Sequence, residues 1–420
     1  MGAAEMNRTG AGSAASMLFP RTGKAAAGLV VLGLAGFLGT LLLGQPQAAW
    51  RAYLINFLLF SGIAQGGLAV SAMASTVHVR SSTLPQLAES FAAFFPVSLL
   101  LFLGLLPGAG YVFPWLGQEF AGQKDVWLSL PFLLSRDFLA FVLLYGTGLA
   151  YLYYTLWLRV GASGKGSGLR ATLAALWSRK RPDAERYARR RYVFGVLYLI
   201  VFCLALSLLA FDLVMAAEPH WYSTLFGAYA FIKAIYTGIG ALIILAAVLH
   251  LSRVVDYRLR SWEYIDIGKL LLVFCLLWAD FFYCQLVVIW YGNIPEETSY
   301  VITRTMFAPW NRIAAGVFAV GFVVPFVVLL NRRVKTLPRV MIALCAVVIA
   351  GMWLEHYLLL GPALATDAGA IPLSGGEVLI SLGFAGALIL AVVGYLNQFP
   401  ETLRPVDEAG AEDAGQNRKL

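Results

Sequence analysis

The stretch Leu225–His250, LFGAYAFIKAIYTGIGALIILAAVLH, contains a single charged side chain, that of Lys233. A run of this length crosses the hydrocarbon core of a bilayer as one α-helix, since about 20 apolar residues are enough. The apolar pattern predicts nine further runs of the same kind. Together they predict an all-α polytopic integral membrane protein with about ten transmembrane helices, called spans 1 to 10 below. Leu225–His250 is span 6. The other predicted spans are, in chain order, Ala25–Leu43, Tyr53–Ala74, Leu87–Leu106, Leu133–Leu158, Tyr192–Met215, Ile267–Trp290, Ile313–Leu330, Val340–Leu360 and Val378–Leu396.

The composition excludes the soluble classes of protein. Hydrophobic residues make up 60% of the 420 residues and charged residues only 13%, whereas soluble domains carry about 25% charged residues. In a soluble protein the formal net charge of +8 would indicate nucleic-acid binding, but in so apolar a chain it indicates membrane orientation. We therefore expect membrane lipids, and no nucleic acid, among the binding partners.

The cysteines predict neither a metal site nor a covalently bound cofactor. All four lie inside apolar runs, and none belongs to a CxxC or CxxCH motif. Cysteines in such a setting typically act as small apolar packing residues. The cysteines are Cys203, Cys275, Cys284 and Cys345.

The basic residues predict the orientation of the chain. With the N-terminus in the cytoplasm, all but six of the 31 Lys and Arg residues fall in cytoplasmic segments or at cytoplasmic ends of spans, as the positive-inside rule requires. Both termini are therefore predicted to be cytoplasmic. The chain divides into a tail at 1–24 with a disordered start, a transmembrane domain at 25–397 and a second cytoplasmic tail at 398–420.

The largest predicted cytoplasmic connection is a basic loop at 159–191. A glycine- and serine-rich stretch comes first, and a basic segment with helical spacing, Arg170–Arg191, follows it. The spacing favours an interfacial segment held against anionic lipid. The alternative is a docking surface for a partner subunit.

A few ionisable residues lie inside predicted spans, where they are costly and indicate function. Asp280 lies in the middle of span 7, and Asp212 lies near the outer end of span 5. Glu355 and His356 lie in the outer half of span 9. We expect Asp280 to be buried, and a buried carboxyl can relay protons. The alternative is structural neutralisation across spans, such as Glu355 with Lys233 or Arg312.

The segment Ile289–Tyr300, IWYGNIPEETSY, places two adjacent carboxylates at the outer mouth of span 7. Asn293 and Pro295 predict the end of the helix, because the residue before a proline disfavours the α conformation. Glu296 and Glu297 are therefore predicted at the water boundary. They are candidates for the port of a proton path or for an acidic contact with a partner.

Several motifs resemble the F subunit of alternative complex III, a bacterial quinol–cytochrome c oxidoreductase, within the wider group of NrfD-like membrane anchors. The longest is WADFFYCQLVVIWYGNIPEETSY at 278–300. The resemblance also covers LINFLLFSGIAQGGLAVSAM in span 2, LAESFAAFFPV opening span 3, and FPWL with KDVWLSLPFLLSRD before span 4. It extends over Trp50–Leu330, while the last two spans agree only in topology.

The resemblance implies two four-helix bundles, spans 2–5 and 6–9, with two flanking helices. It also implies a membrane scaffold and proton half-channel in the inner (cytoplasmic) membrane of a bacterium, without catalytic activity of its own. The implied partners are a paralogous NrfD-like quinol-binding subunit, an iron–sulfur protein and a multihaem cytochrome c. Asp280, Glu296 and Glu297 lie on the matched motif, whereas Glu355, His356 and Asp212 are candidates from burial cost alone.

Two alternatives stay open. An NrfD-type anchor that itself binds a quinol (menaquinol or ubiquinol) would need a pocket at the outer end of a bundle, where Arg136, Asp137 and His220 are the candidate contacts. A proton-coupled secondary transporter would break its spans at corresponding places in two halves. Pro325 in span 8 has no counterpart in span 4, which disfavours the transporter.

Overall fold

The structure of the chain is a computed structural model. It describes residues 19–77, 83–160, 168–180, 183–252, 257–364 and 374–403. The outer parts of both predicted tails, and part of the basic loop, lie outside these ranges. The described residues form helices without a β-strand.

Ten helices in the described part of the chain are long and apolar enough to cross a membrane. The prediction of an all-α polytopic membrane protein is therefore confirmed. The spans are Pro20–Leu42, Pro46–Thr76, Thr83–Val112, Leu130–Arg159, Ala184–Ala217, Leu225–Ser252, Ser261–Gly292, Trp310–Leu330, Pro338–Leu364 and Gly375–Gln398.

Two ion pairs show that spans 3 and 4 run in opposite directions and that spans 2 and 10 run in the same direction, as alternating spans require. Arg159, at the end of span 4, bonds Glu89 near the start of span 3 at 2.8 Å. Arg51, at the start of span 2, bonds Glu377 at the start of span 10 at 2.6 Å. We call the side where span 1 begins and span 10 ends the terminal face, and the other side the opposite face. The basic residues predict that the terminal face is cytoplasmic.

The spans pack as two bundles with a flanking pair. Spans 2–5 contact one another, spans 6–9 do the same, and spans 2 and 6 pack together at the junction. Spans 1 and 10 pair with each other and lie against spans 2 and 3. This is the arrangement that the resemblance implies.

Small residues bring spans 2 and 6 into close contact. A Cβ added at Gly66 would overlap the carbonyl group of Ala234, and one added at Gly238 would overlap the backbone of Gly66 and Gly67. Backbones can approach this closely only where side chains are absent. The junction between the bundles therefore depends on these glycines.

Gly66→Ala is expected to destabilise the protein, by about 1–3 kcal/mol of unfolding free energy, because the new methyl group overpacks the junction. Gly62→Ala is the matched control from the same helix, since a Cβ there would meet the Ala234 Cβ at an ordinary 3.7 Å. Thermal unfolding of the purified variants in detergent measures both. Equal melting temperatures for the two variants would contradict this packing.

Span 8 contains one π-helical turn, Ala319–Val323, just before Pro325. A π-turn releases backbone groups from the regular ladder and occurs often near functional sites. The Tyr236 hydroxyl donates to the Gly321 carbonyl at 3.1 Å. The irregular turn is therefore tied to span 6.

Two helices of more than ten residues lie outside the spans in the described part of the chain. Leu169–Lys180, the loop helix, buries Trp177 completely, and Arg170 forms an ion pair with Glu401 on the terminal face. The predicted basic segment Arg170–Arg191 is not one helix, because Asp183 caps a new helix that begins at Ala184. On the opposite face, Pro295–Thr305 forms an interfacial helix between spans 7 and 8.

Candidate functional site

A buried ion pair lies where the two bundles meet. Lys233 Nζ on span 6 donates to Glu355 Oε2 on span 9 at 2.8 Å, and the Tyr229 hydroxyl donates to Oε1. Tyr229 and Lys233 share a helix face because they are four residues apart. Lys233 is 6% exposed and Glu355 is fully buried. Of the two partners suggested by the sequence, Glu355 therefore takes Lys233, while Arg312 is exposed.

His356 lies beside this pair with a defined hydrogen bond. Its Nδ1 is 2.8 Å from the Met352 carbonyl oxygen and 3.7 Å from Glu355 Oε2. A carbonyl oxygen only accepts hydrogen bonds, so Nδ1 carries the proton and Nε2 of the neutral ring is an acceptor. His356 and Glu355 therefore share no short hydrogen bond.

A small cavity of about 60 Å³ adjoins the pair. A cavity of this size has room for ordered water, since about 10–15 Å³ is enough to hold one molecule. Its polar lining consists of Ser61 and Gln65 from span 2, Lys233 and Thr237 from span 6, and His356 from span 9. Apolar side chains of spans 2, 4, 5 and 6 complete the wall. Five polar residues in so small a space favour water over an empty apolar void.

Hydroxyl groups continue from the cavity into the first bundle. Ser61 Oγ lies 2.6 Å from Ser98 Oγ, which in turn lies 2.6 Å from the Tyr145 hydroxyl. Gln65 Nε2 donates to the same hydroxyl at 2.8 Å. Hydroxyl groups both donate and accept hydrogen bonds. This row of hydroxyl groups can therefore pass a proton by reorienting its hydrogen bonds.

A second polar group lies toward the terminal face. The Tyr151 hydroxyl is 3.0 Å from Ser71 Oγ, and Glu89 accepts from Arg159 at 2.8 Å. No hydrogen bond among the described residues joins Gln65 to Ser71. These two residues are about 9 Å apart along span 2, by the helical rise per residue.

Near the opposite face, Arg136 holds Asp212 in a bidentate ion pair. Nε and Nη2 donate to the two carboxylate oxygens at 2.5 and 2.7 Å, and the guanidinium lies over the Trp127 ring at 3.8 Å. Asp137 is fully buried beside Asp212, and within the described structure neither of its oxygens meets a donor. One guanidinium neutralises one carboxylate, so a proton on Asp137 would complete the charge balance.

The three candidate quinol contacts are only partly brought together. Arg136 and Asp137 are neighbours, but the donors of Arg136 are committed to Asp212 and to the Trp127 carbonyl. His220 is exposed in the loop before span 6. No described contact joins His220 to the other two.

The expectation that Asp280 is buried is wrong. Its side chain points outward from span 7, and the polar neighbour it meets in the described structure is the Cys284 thiol, which donates at 3.9 Å. The sequence gives the depth of Asp280 but not its direction, because span 7 is apolar on every side. An ionised carboxyl at mid-span costs about 2.5–3.5 kcal/mol on insertion scales.

Glu296 and Glu297 lie in the first turn of the interfacial helix, where carboxylates favour the helix N-terminus. Glu296 is exposed and Glu297 is half-buried. Arg304 does not pair with them. Its guanidinium donates to the Leu359 carbonyl at 2.8 Å and lies over the Tyr300 ring at 3.6 Å.

The contacts of Tyr300 fix the interfacial helix against the bundle. Its ring stacks on Trp221 with the ring centroids 3.8 Å apart. Burial raises the pKa of Tyr300 to about 12, although the neighbouring Arg304 cation lowers it. The hydroxyl therefore stays protonated at physiological pH.

Comparison with known proteins gives no assignment. No protein-family model and no curated protein matches this sequence.

Proposed function

We propose that this chain is an integral membrane subunit of a respiratory quinol-oxidising complex of the alternative complex III type, where it acts as a scaffold and a proton half-channel. It has no catalytic activity of its own. The partners are a paralogous NrfD-like quinol-binding subunit, an iron–sulfur protein and a multihaem cytochrome c, in a bacterial inner membrane. The observation that supports the half-channel is the buried Lys233–Glu355 pair beside a largely apolar cavity that five polar residues also line.

The chemistry of the pair suits proton exchange. As ammonium and carboxylate, Lys233 and Glu355 are together neutral. A proton that reaches Glu355 cancels the attraction, and Lys233 can then release one of its own protons to water in the cavity. The Tyr229 hydroxyl holds the carboxyl in place through both states.

The polar groups of the first bundle supply a route toward the terminal face. Glu89 lies at that end, and the Tyr151–Ser71 pair is the next polar group toward the cavity. The hydroxyl groups of Tyr145, Ser98 and Ser61 then reach the cavity itself. Water would have to bridge the 9 Å that separate the two groups along span 2. On this proposal, Asp137 and Asp212 form the opposite boundary of the half-channel.

Purification of the tagged chain from native membranes in mild detergent tests the assignment to a complex. We expect an iron–sulfur protein and a multihaem cytochrome to co-purify in fixed ratio, with quinol-dependent reduction of the haems. Isolation as a lone polypeptide that is stabilised by a small solute would contradict the proposal and favour a transporter.

An anchor that itself binds quinol is the second candidate. The observation that favours it is the position of the cavity, which lies between the bundles and combines apolar walls with Lys233 and Gln65. Its 60 Å³ is small beside the ~300 Å³ of the smaller ligand pockets. We therefore favour the proton half-channel over quinol binding by this chain. A quinone analogue that protects Lys233 from chemical modification would reverse this order.

A further inference from the structure

Asp280 is the one carboxyl in the described structure that is exposed in the middle of a span. It lies about 18 Å along the helix from Gly292, at 1.5 Å per residue. Glu355, the other carboxyl deep inside a span of the described structure, is buried and paired with Lys233. Among the described residues, the polar group that Asp280 meets is the thiol of Cys284, a weak donor.

The same face of span 7 carries a seam suited to a helix. Val273, Leu276, Asp280, Tyr283 and Trp290 are exposed. Successive members are three, four, three and seven residues apart along the helix. Such spacing lets a second helix pack along the whole length at a shallow angle. We call these five residues the span 7 seam.

A lipid chain is a poor occupant for the seam, because hydrocarbon offers no hydrogen-bond donor to the carboxyl. A second copy of this chain is also a poor occupant. A symmetric contact would bring two Asp280 carboxyls together. In addition, the described cations exposed on the surface lie near span ends, as Lys24, Lys269 and Arg312 do.

We propose that the span 7 seam is the docking surface for a transmembrane helix of a different subunit, and that this helix carries a lysine or arginine at the depth of Asp280. A buried cation is the partner that Asp280 lacks, and such intramembrane pairs fix register and partner choice. The inference rests on the proposed function only in requiring a membrane complex. It makes no use of the proton path.

Site-specific photocrosslinking in intact membranes tests the seam. A benzoyl-phenylalanine in place of Tyr283 should crosslink to one transmembrane peptide of another subunit, and that peptide should contain Lys or Arg within one helical turn of the attachment point. The same probe in place of Leu204, which is 68% exposed on span 5, is the control and should give lipid adducts. Adducts of Tyr283 with lipid alone, with a second copy of this chain, or with a peptide that lacks a basic residue would each overturn the proposal.

Charge variants test the pairing itself. Asp280→Leu should lower co-purification of the crosslinked subunit by at least about tenfold, as expected when one member of a desolvated charge pair is removed. Asp280→Glu should retain it. Asp280→Lys should lose the subunit, and replacing the identified basic residue by Asp should restore it. Unchanged recovery with Asp280→Leu would overturn the pairing.

The outcomes separate this inference from the proposed function. A basic helix crosslinked at the seam, in a complex without haem or iron–sulfur protein, would refute the respiratory assignment and leave the seam intact. A respiratory complex that tolerates Asp280→Leu would do the reverse.

Discussion

Lys233→Met is expected to lower the free energy of unfolding by about 3–5 kcal/mol, because it leaves the fully buried Glu355 carboxylate without its cation. Glu355→Leu should cost a similar amount, since it strands the ammonium instead. The double variant Lys233→Met/Glu355→Leu should recover most of the loss, because apolar replacement of a whole buried pair is often neutral. Denaturant titration of the purified complex in detergent measures all three.

The control for this prediction is the Arg51–Glu377 pair, which is also wholly buried. Arg51→Met should also destabilise the protein, because Arg51 bonds Glu377 at 2.6 Å with both side chains buried. That pair joins spans 2 and 10 and does not line the cavity, so its loss should leave proton movement intact. Single variants of Lys233 and Glu355 whose effects simply add would contradict direct pairing at the junction.

Arg136→Met is the second change with a large expected effect. The guanidinium holds the Asp212 carboxylate through two hydrogen bonds, and Asp137 lies beside it without a donor. Without Arg136 two buried carboxyls face each other, so we expect a loss of about 3–5 kcal/mol in unfolding free energy. Asp212→Asn should cost a similar amount, because it leaves the cation unpaired.

Asp137→Asn tests which of the two carboxyls, Asp137 or Asp212, is ionised. If Asp137 already holds a proton, the amide replaces a neutral group of the same size, and stability should change by less than about 1 kcal/mol. Arg312→Met, at an exposed position, serves as the control and should be silent. A large loss with Asp137→Asn would show that Asp137, not Asp212, is the ionised partner of Arg136.

The fold was predictable from hydropathy because a span of this kind has little alternative in a bilayer. The predicted start of span 5, Tyr192, is late by two turns, since the Asp183 cap allows the helix to begin at Ala184 in a basic segment. Hydropathy reports where a helix leaves the hydrocarbon, not where its hydrogen bonds end. Gly62 and Gly66 of span 2 have the GxxxG spacing that is typical of close helix packing, and the close contact lies at Gly66.

The candidate site was only partly predictable. Glu355 and its partner Lys233 follow from the cost of burying charge, and the sequence suggests both. Glu89, at the start of span 3, follows from the same cost. Glu377 obeys the same rule but was missed, because it lies one residue before the predicted start of span 10, where a charge can equally face water. Tyr145 and Ser98 carry no signal at all, since neutral hydroxyls are common in spans. The direction of Asp280 depends on which helices pack around span 7, and a single sequence does not contain that information.

The half-channel is tested most directly by proton uptake in proteoliposomes that contain the purified complex. Glu355→Gln keeps an acceptor for Tyr229 but removes the carboxyl that exchanges protons. We expect this variant to assemble and to transfer electrons from quinol, with the number of protons moved per electron falling to the uncoupled value. Glu377→Gln, the matched change at the pair outside the cavity, should keep the wild-type ratio. A wild-type ratio for Glu355→Gln would contradict the assignment of the Lys233–Glu355 pair to the proton path.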